Sequence, residues 1–233
     1  MEQGFGDIIM YARFLPFLKV MGAAKVVVLA VPPIVPLLSQ IECIDQFTDM
    51  VEAGPGHECD YWIGSMSLPY YIDCSPKYAK SLFPIGKDKV VSSEGYLDAV
   101  PSGIERKIGV NWGASKGALR WIKSISEEEM MKLVGDDAYS LNPEADGFFR
   151  PLPDDGWKKD WSITAKHMKA MKGVVTVDTG TAHLAGALGV KCVVLLPQES
   201  FICWRWKNAQ WYDSVVALRQ DEYHKVADLI RRM

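Results

Sequence analysis

Residues 174–190 read VVTVDTGTAHLAGALGV, and this stretch constrains the fold more than any other. Val174 to Val177 is an apolar, β-branched run of strand length. Asp178-Thr179-Gly180-Thr181 turns the chain, and Ala182 to Leu188 reads as a small-residue helix stopped by Gly189. A strand that turns directly into a helix gathers free backbone N–H groups, the hydroxyls of Thr179 and Thr181 and the positive end of the helix dipole at one point. His183 lies in the first turn. Such a turn suits an anionic group, typically phosphate. An ordinary βα loop that binds nothing has the same shape.

The rest of the chain alternates in the same way. Apolar spacing at Ile8, Tyr11, Ala12, Leu15 and Leu18 predicts a helix over Ile8–Val20. A strand at Val26–Val31 and a helix at Ile34–Ile41 follow, with weaker strands near Gln46–Thr48 and Tyr61–Ile63. Lys77 to Lys107 is rich in Gly, Pro, Ser and charge and reads as loop and linker. Beyond it come a strand at Ile108–Trp112, a helix opened by a Ser126–Glu129 capping box, a short strand at Tyr139–Leu141 and a helix at Ser162–Met171. Strands at Cys192–Leu196 and Val215–Leu218 precede a final amphipathic helix marked by Tyr223, Val226, Ala227, Leu229 and Ile230. Alternating elements predict an α/β fold, with parallel sheets covered by helices on both faces. The linker near Asp98–Lys107 divides the chain into two units, 1–100 and 108–233, with a cleft between them.

Composition narrows the function class. The 233 residues are 48% hydrophobic and 24% charged, ordinary for a globular protein with a proper core. A net charge of -3 gives no reason to expect strong non-specific nucleic-acid binding. The five cysteines, Cys43, Cys59, Cys74, Cys192 and Cys203, are odd in number and form no CxxC pair. Reduced thiols and a cytoplasmic location are the expectation, without zinc or a disulfide framework. The uncharged stretch Val26–Ile41 is broken by Pro32, Pro33 and Pro36 and is too short to span a membrane. The N-terminus carries Glu2 and Asp7 where a secretory signal would be basic.

Two further stretches carry chemistry. Glu2-Gln3-Gly4-Phe5-Gly6-Asp7 opens directly into a helix, and its glycines allow close approach of backbone to a ligand. Asp7 sits at the helix N-terminus, where a carboxylate is stabilised; a plain helix cap has the same sequence. A dinucleotide fingerprint needs GxGxxG after a strand, and this chain has only GxGD. The third stretch runs Gly109-Val110-Asn111-Trp112-Gly113-Ala114-Ser115-Lys116, then Arg120-Trp121-Ile122-Lys123-Ser124-Ile125. Lys116, Arg120 and Lys123 could clamp a diphosphate, or form a solvated basic loop. Trp112, Trp121, Trp204 and Trp206 suit a sugar or base pocket, or the core and its rim.

GFGD opening a helix, GVNWG with R-x-x-K-S-I behind it, and VDTGTAHLAGALG together resemble the family 9 glycosyltransferases. That family includes the lipopolysaccharide heptosyltransferases and the glycosyltransferase halves of tetratricopeptide-repeat proteins. PPIVPLLSQI, MSLP at Met66–Pro69 and LLPQESFICWRW are similar to the repeat-protein branch. The resemblance runs from Glu2 to about Trp211 and rests on the combination of motifs.

The resemblance implies a GT-B architecture, two Rossmann-like domains facing a cleft, with a nucleotide-sugar donor held by the C-terminal one. It implies an inverting transfer to an acceptor hydroxyl that needs neither metal nor cofactor, and the chain has no Asp-x-Asp metal motif. Asp7 matches the general base on the acceptor, and Lys123 matches a cation at the phosphates. Asp178, Thr179, Gly180, Thr181 and His183 match the loop that holds the donor diphosphate. Gly113, Ser115 and Lys116 match the facing loop. The acceptor is open: a glycan, a lipid-linked molecule, a protein or a nucleic-acid base.

Measured against that family, the strand preceding the Gly-Asp loop is missing and the region after Ser140 is compressed. The expectation is an N-terminal sheet short of one member. Either that domain is rearranged, or a second copy or partner chain completes it, or the chain is a fragment. A non-catalytic nucleotide-sugar-binding or scaffold protein is the competing reading.

Overall fold

The computed structural model describes residues 4–48, 59–71, 94–114, 120–144, 147–196, 206 and 211–233. The chain opens on α1 (Phe5–Ala12) and α2 (Pro16–Val20), where periodicity predicts one continuous helix. Proline explains the break. Pro16 has no N–H to give to the preceding turn, so the helix stops and restarts at it. β1 (Val27–Leu29) pairs in parallel with β2 (Gln46–Thr48), and a 3-10 turn and α3 (Val35–Leu38) connect them. The strand expected at Tyr61–Ile63 does not form. Tyr61 and Trp62 are 93% and 88% exposed, and no strand edge among the described residues pairs with them. Aromatic β-propensity without a partner does not make a sheet. α4 (Leu68–Tyr71) follows.

The second half builds a five-stranded, all-parallel sheet. β3 (Ile108–Asn111), β4 (Ala138–Ser140), β5 (Gly173–Val177), β6 (Cys192–Leu196) and β7 (Val215–Arg219) lie in the order β4-β3-β5-β6-β7. Strands buried on both faces read as continuous apolar runs, and every residue of β5 and β6 is buried. The strand period of two divides them cleanly. Val174, Cys192, Val194 and Leu196 point to one core. Val175, Val177, Val193 and Leu195 point to the other. α5 (Arg120–Lys123), α6 (Glu127–Val134), α7 (Trp161–Ala170), α8 (Gly180–Ala187) and α9 (Val226–Arg231) complete the layers. α6 starts as its sequence predicts, with Ser126 Oγ accepting from the Glu129 N–H at 3.1 Å.

The first core runs across both halves. Ile8, Ile9, Phe14, Val28, Leu37 and Leu38 share it with Met168, Ala182, Leu184 and Tyr212. The stretch 94–107 forms no helix or strand and lies along α8 and α7. The Tyr96 and Leu97 N–H groups donate to Ala187 O at 2.7 and 2.9 Å, and the Ser102 N–H donates to Lys166 O at 3.0 Å. Buried His167 is bracketed by Ser102 Oγ at 2.9 Å and Asp154 Oδ2 at 3.1 Å, which ties the stretch to α7.

Candidate functional site

In an open parallel sheet, ligands sit beyond the C-terminal ends of strands where the connections part to opposite sides. With the order β4-β3-β5-β6-β7, that point lies between β3 and β5. The residues beyond these two strands are Trp112-Gly113 and Asp178-Thr179-Gly180.

The turn after β5 is organised by Asn111, the last residue of β3. Asn111 is buried, and its Nδ2 donates to Thr181 Oγ1 at 3.0 Å and Thr179 Oγ1 at 3.3 Å. Its Oδ1 accepts from the Gly113 N–H at 3.2 Å. Each threonine oxygen thereby acts as acceptor towards Asn111, and the Thr179 hydroxyl also lies 3.2 Å from Thr176 Oγ1, whose own proton goes to Val177 O. Thr179 is the N-cap of α8 but makes no side-chain cap bond. The first N–H groups of α8 therefore have no hydroxyl acceptor of their own, the state in which a helix N-terminus holds an anion.

Lys123, at the end of α5, reaches the same point. Its Nζ lies 2.7 Å from Asp178 Oδ2. Burial pushes the Asp178 carboxyl up. The charge and hydrogen bond of Lys123, with help from His183 and Trp206, outweigh this and hold it below the ordinary carboxylate range. Asp178 thus holds the lysine at the turn. Gly113 is adjacent, with the Ala114 N–H donating to Ser124 Oγ at 2.9 Å. Ser115 and Lys116 lie outside the described residues, as does Trp204. Arg120 is paired with Glu144 at 3.1 Å.

The Gly-Asp turn packs directly on this loop. A Cβ on Gly6 would fall 2.8 Å from His183 Cδ2 and 3.2 Å from Gly180 Cα. A Cβ on Gly180 would fall 2.8 Å from the Trp161 ring and 3.4 Å from Gly6 N. Both glycines are therefore needed for the two helix N-termini to meet. The Phe5 and Trp161 rings lie 5.1 Å apart with their planes tilted by 43°. Asp7 follows Gly6 in the first turn of α1 and is partly buried.

His183 is 3% exposed. Trp206 stacks on its ring at 5.4 Å, and its Nδ1 lies 3.2 Å from the Tyr212 hydroxyl. Of the candidate tryptophans, Trp206 reaches the site, Trp112 is core against Phe149, and Trp121 is exposed. Asn111, Tyr212 and Trp161 are the members that sequence reading missed. The one signal available was a polar residue ending an apolar strand, at Asn111. Two cavities, about 430 Å³ around Ser102, Tyr139, Arg150 and His167 and about 550 Å³ around Arg13, Lys19, Cys43 and Tyr96, contain none of the loop residues.

A comparison of the sequence with protein families and with curated proteins finds no match. Solved structures do match. ADP-heptose LPS heptosyltransferase II of E. coli superposes with a TM-score of 0.61 at 14% identity, over 99% of this chain and 97% of that one. The iron-containing dodecameric glycosyltransferase TibC, from enterotoxigenic E. coli H10407, superposes with a TM-score of 0.58 at 13% identity. That match covers 92% of this chain and 60% of TibC. No described helix is long and apolar enough to cross a membrane. The chain has the heptosyltransferase-like α/β fold of the GT-B glycosyltransferases, with its five-stranded parallel sheet at the centre.

Proposed function

We propose that the protein is an inverting glycosyltransferase that moves a sugar from a nucleotide-sugar donor to an acceptor hydroxyl without a metal ion. The observation that carries this reading is the contact of Gly6 with Gly180 and His183. It puts the residue before Asp7 against a loop suited to a diphosphate, which supports pairing a base with a phosphate-holding loop, the two functions such a transfer needs. Asp7 accepts the acceptor's proton as its oxygen bonds to the sugar's anomeric carbon. The bond from that carbon to the diphosphate breaks, and the nucleoside diphosphate leaves with the extra charge. The N–H groups at the start of α8, the hydroxyls of Thr179 and Thr181, His183 and the Lys123 ammonium stabilise that charge. Lys116 and Ser115 belong to the facing loop in this scheme. The acceptor remains the broad class of hydroxyl-bearing glycans, lipid-linked molecules, proteins or nucleic acids.

The test is transfer and donor turnover by the purified protein with a panel of nucleotide-sugars. Turnover lost in Asp7→Asn with nucleotide binding kept supports the reading. Nucleotide binding without turnover on any donor or acceptor would leave a nucleotide-sugar-binding protein in its place.

A further inference from the structure

We propose that Ser102, His167 and Asp154 form a second site, in which Ser102 Oγ attacks short acyl esters. This goes beyond the glycosyltransferase reading and shares no residue with it. Ser102 lies in the stretch 94–107, Asp154 just before the 3-10 turn Gly156–Lys158, and His167 in α7. Ser102 Oγ is 2.9 Å from His167 Nδ1, and Asp154 Oδ2 is 3.1 Å from His167 Nε2. A serine, an imidazole and a carboxylate joined in that order are recognised as a nucleophilic triad by geometry and roles, not by place in the chain.

The proton positions follow from the partners. An ionised carboxylate only accepts, so in the neutral ring the proton sits on Nε2 and goes to Asp154. Nδ1 is then the bare nitrogen, and the Ser102 hydroxyl donates to it. In that arrangement an imidazole is ready to take a hydroxyl proton. The two ring nitrogens are exchanged relative to the serine proteases, which alters neither role. Asp154 is held in turn, its Oδ1 accepting from the Gly156 N–H at 2.9 Å. His167 is 4% exposed, so packing within α7 holds the ring. The serine faces space. Ser102 and His167 both line the cavity of about 430 Å³, with Ile104, Tyr139, Arg150 and Pro151 among its walls. That volume falls in the range of small-molecule sites. A Cβ on Gly103 would meet nothing within 4 Å, and the Gly103 N–H donates to no described residue. The N–H that follows a nucleophile is a common oxyanion donor.

In the proposed step Ser102 Oγ bonds to the acyl carbon while His167 Nδ1 takes its proton. The ester C–O bond breaks, the proton passes to the leaving alcohol, and the acyl group stays on Ser102. Water then adds to the same carbon and gives a proton to Nδ1. The bond to Ser102 breaks, Oγ recovers the proton and the acid is released. The test treats the full protein with p-nitrophenyl acetate and, separately, with a fluorophosphonate, whose adduct is mapped by mass spectrometry. Hydrolysis above buffer and an adduct on Ser102 are expected. Ser102→Ala should lose both. Asp154→Asn, at a half-exposed side chain, should keep the fold and slow hydrolysis roughly 10²- to 10⁴-fold, because the imidazole loses the group that sets its tautomer. The adduct site on the wild type decides the case even where Ser102→Ala fails to fold. A wild type that takes no adduct, or takes it at another residue, overturns the proposal. An unchanged rate in Asp154→Asn or in a folded Ser102→Ala does the same, and leaves the three residues as a tie between the stretch 94–107 and α7.

Discussion

A carboxylate that is only 8% exposed stays ionised against a partner cation, and Lys123 is that partner for Asp178 at 2.7 Å. Replacing the lysine leaves a buried charge unpaired. Lys123→Ala should destabilise the protein by about 3 kcal/mol at neutral pH. The sign of its pH dependence follows from the lowered Asp178 value. A group held below its ordinary range contributes stability above that range and loses it as pH falls through the folded value. The gap between wild type and Lys123→Ala in urea melts should therefore be largest near neutrality and close on acidification. A gap that widens in acid would mean that the pair is not what keeps Asp178 charged. In the proposed mechanism Lys123 also meets the diphosphate, so the same variant should bind nucleotide more weakly. Asp7 separates binding from turnover. Asp7→Asn keeps the shape of the α1 start and removes the carboxylate proposed as the base. Transfer should fall roughly 10²- to 10⁴-fold, while calorimetry shows nucleotide affinity unchanged. A wild-type rate would leave Asp7 as a helix cap.

At the scale of elements, the contact of the α1 and α8 N-termini is the feature on which the site depends. Gly180→Val would drive a side chain into the Trp161 ring and towards Gly6 N. It should abolish nucleotide binding and cost about 1–3 kcal/mol through overpacking; unchanged affinity by calorimetry would rule out the phosphate-loop assignment. Gly6→Ala tests the partner side, since its new methyl meets a buried imidazole and backbone. The β5–turn–α8 unit was legible in the sequence because all its signals are local: a β-branched run, a Thr-Gly-Thr turn and a stop glycine. Gly189 indeed takes the left-handed conformation, at φ 68°. The ties that aim the site were not legible. Asn111 acts on Thr181 across 70 residues and Tyr212 on His183 across 29, and no periodicity carries such pairings. The false strand at Tyr61–Ile63 and the unbroken helix over Ile8–Val20 fail for the opposite reason. Propensity and spacing are local, whereas a strand needs an edge to pair with and one proline overrules a helical pattern.

Across the whole molecule, the charges assigned to the leaving group are all the chain's own. Lys123 stands at the end of β5 with Asp178, the α8 dipole points at the same turn, and Asn111 donates to both threonine oxygens there. A divalent ion does the same work in other transferases by bridging the two phosphates. In the proposed mechanism that work falls to groups on three elements, α5, α8 and the β3 end, which meet at the switch point of one sheet. The first core packs α1 against α8 and β6 behind this turn. Transfer should therefore persist in EDTA at the rate seen with magnesium. Nucleoside diphosphate alone should raise the melting temperature in EDTA, by the amount its affinity and concentration dictate. The two measurements divide the outcomes. Activity lost in EDTA and restored by magnesium or manganese would overturn the metal-free mechanism. Stabilisation by nucleotide that also needs the metal would show that Lys123 and the α8 start do not suffice to hold the diphosphate.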